Sequence, residues 1–115
     1  MMNNSGYEYP AEKLSAARNF LVLLHPEGEA ASYAEAFHQC WLGLMELSTD
    51  DLDDAARSWV ATIKRTMDTT RIQDPSGRGA WAIKIEQLSS DEKHEFSEAV
   101  DDLAYWLDRR SHGQD

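Results

Sequence analysis

The sequence predicts a mainly α-helical protein: a single domain of four helices, with a short β-hairpin between the third and the fourth helix. A chain of 115 residues is the size of one domain with one core. Apolar residues recur at helical spacing in four segments, and six glycines with three prolines are too few for the turns of a sandwich or barrel. We expect residues 1–9 to form a flexible arm, residues 10–110 the helical domain, and residues 111–115 a frayed end.

The first two helices are predicted to begin at Pro10 and at about Glu29. Proline suits the first helical turn, where its missing N–H costs nothing, and the His-Pro-Glu-Gly run at 25–28 ends the first helix. The second helix is expected to end near Leu47. The apolar stripes of the two helices are Leu14, Ala17, Phe20, Leu21 and Leu24, and then Tyr33, Ala34, Phe37, Trp41, Leu44 and Met45.

Ser48 or Thr49 is predicted to open the third helix, because either hydroxyl can accept hydrogen bonds from the free N–H groups of the first turn. Lys64 and Arg65 fall in its last turns, where the helix dipole favours bases. The predicted buried face consists of Leu52, Ala56, Trp59, Ile63 and Met67.

The β-hairpin is predicted after this helix, with strands at 70–73 and 80–86. Trp81, Ile83 and Ile85 alternate at period two, and the Asp-Pro-Ser-Gly cluster between the two runs is a turn signal. The alternative is one extended loop that leads into a lone strand.

Ser89 is predicted to begin the last helix, because Glu92 follows three residues later and completes a capping box. The four tryptophans each fall on the apolar face of a different element, so we expect them to meet in one core. The apolar face of the last helix consists of Phe96, Ala99, Val100, Leu103, Trp106 and Leu107.

Charge is segregated along the chain, which carries 21 acids against 11 bases and a formal charge of −10. No Lys or Arg occurs between Arg18 and Arg57, while that stretch holds eight acids. The segment from Arg57 to Lys84 holds six bases against two acids. Acids dominate again in the last helix.

The acidic segments predict a small, non-catalytic binding or regulatory protein that masks a basic partner protein, as inhibitors, immunity proteins, antitoxins and nucleic-acid mimics do. Asp91, Glu95, Glu98 and Asp102 are spaced to form one stripe of the last helix. Like charges at this spacing repel, and a surface of one sign steers an oppositely charged partner. The alternative is that the acids only keep the helix face hydrated. The predicted partner-binding residues are Asp50, Asp51, Asp53, Asp54, Glu95, Glu98 and Asp102.

The basic segment predicts a second function, a winged-helix-like DNA-binding regulator, because three helices followed by a hairpin is the order of that fold. Two features disagree: acids crowd the start of the third helix, and the net charge repels DNA. Nucleic acid is therefore the less favoured partner. The residues of this alternative site are Arg57, Lys64, Arg65, Arg71, Arg78 and Lys84.

A third possibility is a self-associating structural subunit, because 42% hydrophobic residues in so short a chain could leave apolar surface for a homodimer. The longest apolar run, residues 20–24, is far shorter than the ~20 residues of a membrane span, and the N-terminal residues lack the plan of a signal peptide. We expect a cytoplasmic protein without a membrane contact.

Patterns for catalysis, metal or cofactor binding are weak. Glu35 with His38, and Asp91 with His94, have the i, i+3 spacing of carboxylate-bridged metal bundles, but the apolar faces of the first and third helices offer no further carboxylates. Cys40 has no base placed to activate it and is predicted to be a small buried hydrophobe. We expect no enzyme activity, no metal and no cofactor.

Overall fold

The structure is a computed structural model that describes residues 7–23, 26–73 and 79–111. Over these residues it is built from α-helices and one short 3₁₀ turn at Thr49–Asp51. The predicted mainly α class is confirmed. The five α-helices of the described part are α1 (Glu8–Val22), α2 (Glu29–Met45), α3 (Asp54–Met67), α4 (Ala80–Gln87) and α5 (Ser90–Ser111).

The core is built around aromatic rings from α2 and α5. α1 packs against both of these helices, α3 packs on α5, and α4 packs on α2. The rings of Phe37 and Phe96 are fully buried, with centroids 5.1 Å apart in an edge-to-face arrangement. Trp81 of α4 meets Phe37 edge-on at 6.0 Å. The largest fully buried aliphatic side chains around these rings are Leu14, Ile63, Val100, Leu103 and Leu107.

The predicted β-hairpin is wrong, because the described residues contain no strand and residues 80–87 form α4. Trp81, Ile85 and Leu88 also repeat at i, i+4 and i+7, and a short apolar run fits both periods. In the structure Ile85 and Leu88 are buried and Trp81 packs against the core, while Ala82 is exposed. Tertiary burial therefore selects the helical period. The turn proposed at 74–77 lies outside the described residues.

α3 begins later than the sequence predicts. Ser48 caps only the 3₁₀ turn, where its Oγ accepts a 3.4 Å hydrogen bond from the backbone N–H of Asp50. Asp53 is the N-cap of α3, because its Oδ1 accepts a 2.9 Å hydrogen bond from the N–H of Ala56. A carboxylate thus takes the capping role that the sequence suggested for a hydroxyl.

The predicted capping box of the last helix is confirmed. The backbone N–H of Ser89 donates to Oε1 of Glu92 at 2.8 Å, and the N–H of Glu92 donates to Oγ of Ser89 at 3.1 Å. The pKa of Glu92 is lowered, first by the hydrogen bond from the Ser89 backbone. These reciprocal bonds satisfy two donors that would otherwise be free at the start of α5.

The tryptophans do not meet in one core. Trp41 is 47% exposed, while Trp59, Trp81 and Trp106 are half-buried and pack against the core from its edges. The buried aromatic positions are taken instead by the smaller rings of the phenylalanines. The four indoles lie at the edges of the apolar helix faces and line grooves on the protein surface.

Cys40 is fully buried, as predicted, and burial raises the pKa of its thiol far above the ordinary value. The thiol is therefore neutral and is no candidate nucleophile. Within the described part of the chain, no helix combines the length and the apolar character needed to cross a membrane.

Candidate binding surfaces

α3 and α5 pack side by side and leave a surface groove between them, which we call the α3–α5 groove. The groove consists of two adjoining hollows of about 350 and 280 Å³, and Trp59 and Asp102 line both of them. The predicted partner residues Asp53, Glu95, Glu98 and Asp102 all line this groove. The structure therefore brings together acids that are as far as 49 positions apart in the sequence. The lining is Asp53, Trp59, Thr62, Arg65, Glu95, Glu98, Ala99, Asp102, Tyr105, Trp106, Arg109 and Arg110.

At one end of the groove, Asp53 is held by α5. Its Oδ2 accepts a 3.2 Å hydrogen bond from the indole N–H of Trp106 and lies 4.0 Å from the guanidinium of Arg110. The pKa of Asp53 is lowered, first by the hydrogen bond from Ala56 and then by that from Trp106. The guanidinium of Arg110 also stacks over the Trp106 ring at 4.3 Å. This end of the groove thus already binds a cation of the chain itself.

At the other end, Arg65 of α3 lies 3.7 Å from Glu95 of α5, and both side chains are exposed. His94 lies 3.5 Å from Glu98 one helical turn along α5. Exposed pairs of this kind contribute at most about 1 kcal/mol and exchange readily with water. The carboxylates at this end therefore remain accessible to a competing cation.

Asp102, at the centre of the groove, differs from its neighbours because it makes no ion pair with any described residue. Asp102 is exposed, and its pKa is raised, first by the desolvation that the neighbouring groove walls cause and next by the nearby charges of Asp101 and Glu98. Ionised Asp102 is thus less stable in the folded protein than in water. A cation placed beside it would reverse this effect.

The remaining predicted partner residues are less well placed. Asp50 and Asp54 are exposed but are not part of the groove lining. The side chain of Asp51 lies outside what the structure describes. Among the acids at residues 50–54 whose side chains the structure describes, only Asp53 lines the groove together with the acids of α5.

The aromatic residues of the groove were missed by the sequence analysis, which placed Trp59 and Trp106 in the core. Both indoles line the groove, and Tyr105 is 59% exposed beside them. The position of the two indoles at the edge of each apolar stripe could have indicated this. The next residue in each helix, Val60 after Trp59 and Leu107 after Trp106, is the buried one. Aromatic faces next to carboxylates form a good surface for guanidinium and ammonium groups.

The described bases of the alternative nucleic-acid site fall into two groups, because two of them bind other groups of the chain and three do not. Arg57 donates to the carbonyl oxygens of Thr49 and Asp50 at 3.1 and 3.2 Å, and Arg65 pairs with Glu95. Arg78 lies outside the described residues. The hairpin that was to form the wing is replaced by α4. Lys64, Arg71 and Lys84 remain without hydrogen bonds or ion pairs in the described part of the chain.

The candidate metal pairs lie on the surface. Glu35, His38, Asp91 and His94 are exposed. Within the described residues, no group of three or more His, Cys, Asp or Glu side chains is arranged to hold a metal ion.

Comparisons with protein-family models, with curated proteins and with solved structures find no match to the chain.

Proposed function

We propose that this protein is a non-catalytic binding protein whose α3–α5 groove takes basic side chains of a partner protein and thereby masks a basic surface. The observation that carries the proposal is Asp102, a carboxylate without an ion pair that lies beside Trp59 at the centre of the groove. An arginine or lysine of the partner would supply the missing charge and stack on the indole.

The chain already provides an example of such an interaction. Arg110 lies over the ring of Trp106 and near the carboxylate of Asp53, at the end of the same groove. The centre of the groove offers the same two components, the indole of Trp59 and the carboxylate of Asp102, and this carboxylate has no ion pair with a described base of the chain. A partner side chain at Trp59 and Asp102 would repeat the arrangement.

The field of the whole molecule favours the same kind of partner. A formal charge of −10 attracts a basic protein over distances of about a Debye length, roughly 8–10 Å at physiological salt. Long-range attraction accelerates the encounter, while the groove determines which face of the partner is covered.

Affinity capture with matched charge variants tests the proposal. Wild type is compared with Glu98→Lys/Asp102→Lys and with Glu12→Lys/Glu35→Lys, which changes the net charge equally at exposed acids outside the groove. We expect one basic protein that survives nuclease, is retained by wild type and by the control pair, and is lost by the groove pair. Its association rate should fall with the groove variant, and the salt dependence should flatten.

Three outcomes would contradict the proposal. Equal loss of the captured protein in both charge pairs would show that net charge, and not the groove, holds it. Capture that disappears with nuclease would favour the nucleic-acid alternative. Recovery of the chain alone, as a dimer by light scattering, would favour the self-associating subunit.

A further inference from the structure

A second groove lies on another part of the surface, where α2 and α3 end and α4 begins, and its volume is about 560 Å³. Trp41 and Met45, one turn apart on α2, are 47% and 61% exposed there. Met67 and Trp81 are half-buried in its lining. We call it the basic–apolar groove, and its lining is Trp41, Leu44, Met45, Lys64, Met67, Asp68, Thr69 and Trp81.

Three bases whose side chains have no ion pair or hydrogen bond with a described residue lie in the lining of this groove or near its Asp68. Lys64 lines it, and Arg71 and Lys84 lie close enough to Asp68 in the lining to lower its pKa, after the larger effect of the hydrogen bonds from Thr70. None of these three bases makes an ion pair or a hydrogen bond with a described residue. Each of the other bases in the described part of the chain makes an ion pair, a side-chain hydrogen bond or a contact with an aromatic ring. These bases are Lys13, Arg18, Arg57, Arg65, Lys93, Arg109 and Arg110.

We propose that the basic–apolar groove binds an acidic amphipathic helix of a partner protein. The apolar face of that helix would pack on Trp41, Met45 and Trp81, and its carboxylates would reach the bases at the rim. Helix-in-groove recognition uses an apolar floor of this kind, and flexible methionine side chains adapt to the shape of a bound helix. In a chain of net charge −10, this cluster of bases is a local site that attracts an acidic segment.

Charge also argues against a second copy of this chain as the occupant. In a two-fold symmetric dimer the same patch meets itself, so the bases around Lys64 would lie close to the same group of bases of the second copy. Like charges across an interface are costly. The groove is therefore complementary to an acidic partner and not to itself.

The four tryptophans allow a direct test, because Trp41 and Trp81 line this groove while Trp59 and Trp106 line the α3–α5 groove. The indole N–H resonances are followed by NMR and assigned with single Trp→Phe variants. The probe is a synthetic amphipathic helix with leucines on one face and glutamates on the other, and the matched probe carries lysine at each glutamate. We expect the acidic probe to shift the resonances of Trp41 and Trp81 and to leave those of Trp59 and Trp106 in place.

Two variants and a control then test the contacts. Lys64→Glu/Lys84→Glu should weaken binding of the acidic probe by at least about tenfold, because like charges meet at the rim. Met45→Ala, at an exposed position, should weaken it by removing apolar contact. Lys13→Glu, on the surface of α1, should leave the affinity nearly unchanged.

The proposal would be overturned by an acidic probe that shifts none of the indoles or all four alike, or by equal binding of the lysine probe. It would also be overturned if Lys64→Glu/Lys84→Glu and Lys13→Glu had the same effect. Resonances of Trp41 and Trp81 that depend on protein concentration, together with a dimeric mass, would assign the groove to a second copy. Because the two grooves report through different indoles, failure of this proposal is distinguishable from failure of the proposed function.

Discussion

The carboxylate of Asp53 joins α3 to α5, because its Oδ2 accepts a 3.2 Å hydrogen bond from the indole N–H of Trp106. The other oxygen, Oδ1, caps α3 by accepting from the N–H of Ala56 at 2.9 Å. A residue that the sequence placed at the start of the third helix and among the predicted partner contacts thus also links two helices.

We predict that Asp53→Asn lowers the melting temperature at neutral pH, and that its difference from wild type shrinks in acid. The pKa of Asp53 is lowered in the folded protein, so its stabilising effect is present above the unfolded value of about 3.9 and is lost as the pH falls through the lower folded value. Thermal unfolding at a series of pH values, from neutral to strongly acidic, measures the difference in melting temperature between the variant and wild type. Asp54→Asn is the matched control, since it removes the same charge one residue further into α3.

We predict the opposite sign for Asp102→Asn. The pKa of Asp102 is raised, so its ionised form destabilises the fold above that pKa, and this cost disappears in acid. The variant should melt slightly above wild type at neutral pH while it weakens partner binding. Asp101→Asn provides the contrast, because Asp101 lies 3.9 Å from Arg18 and loses that ion pair. A lower melting temperature for Asp102→Asn at neutral pH would contradict the assignment.

Removal of the capping box should destabilise α5. We expect Ser89→Ala to lower the free energy of unfolding by about 0.5–2 kcal/mol, because the N–H of Glu92 loses its acceptor. Ser90→Ala, at the first residue of the same helix, is the control and should change stability much less. Chemical denaturation of the two variants measures the difference, and equal effects would show that the hydroxyl of Ser89 does not act as a cap.

Helices with a long apolar stripe and a clear start signal were predictable from the sequence. The Ser89 and Glu92 pair marked the start of α5 because both halves of the box occur at fixed spacing. The start of α3 was missed because hydroxyl and carboxylate residues follow one another from Ser48 to Asp54, and each can cap. In the structure, the hydrogen bond from the N–H of Ala56 to Asp53 identifies the actual cap.

Short elements and groove edges were not predictable for a different reason. The apolar residues within the eight-residue α4 fit the period of either a strand or a helix. Burial of Ile85 and of Leu88, which follows the helix, favours the helix over the strand. The spacing of apolar residues likewise does not show which of them lie at the centre of an apolar helix face and which lie at its border. Trp41 and Trp59 lie at the border. The sequence identified the acids of α5, but only the packing of the helices shows that they lie beside the indole of Trp59 on α3.

Gly43 allows α1 and α2 to approach closely, which predicts a penalty for any side chain there. A Cβ at Gly43 would lie 2.7 Å from Cδ2 of Leu14 and 3.0 Å from Cβ of Lys13. We expect Gly43→Ala to lose about 1–3 kcal/mol through overpacking, partly offset by about 1 kcal/mol of helix propensity. Combining it with Leu14→Val should reduce the penalty, and a double-mutant cycle measures this coupling. Additive effects would contradict the proposed clash.

The contrast between buried Phe37 and exposed Trp41 predicts a large difference between two alanine variants on α2. Phe37 is fully buried and contacts the rings of Phe96 and Trp81, so Phe37→Ala should cost about 3–5 kcal/mol. Trp41 is 47% exposed, so Trp41→Ala should stay within about 1 kcal/mol of wild type. Urea denaturation of the two variants measures the difference. A Trp41→Ala variant as unstable as Phe37→Ala would return Trp41 to the core and remove the floor of the basic–apolar groove.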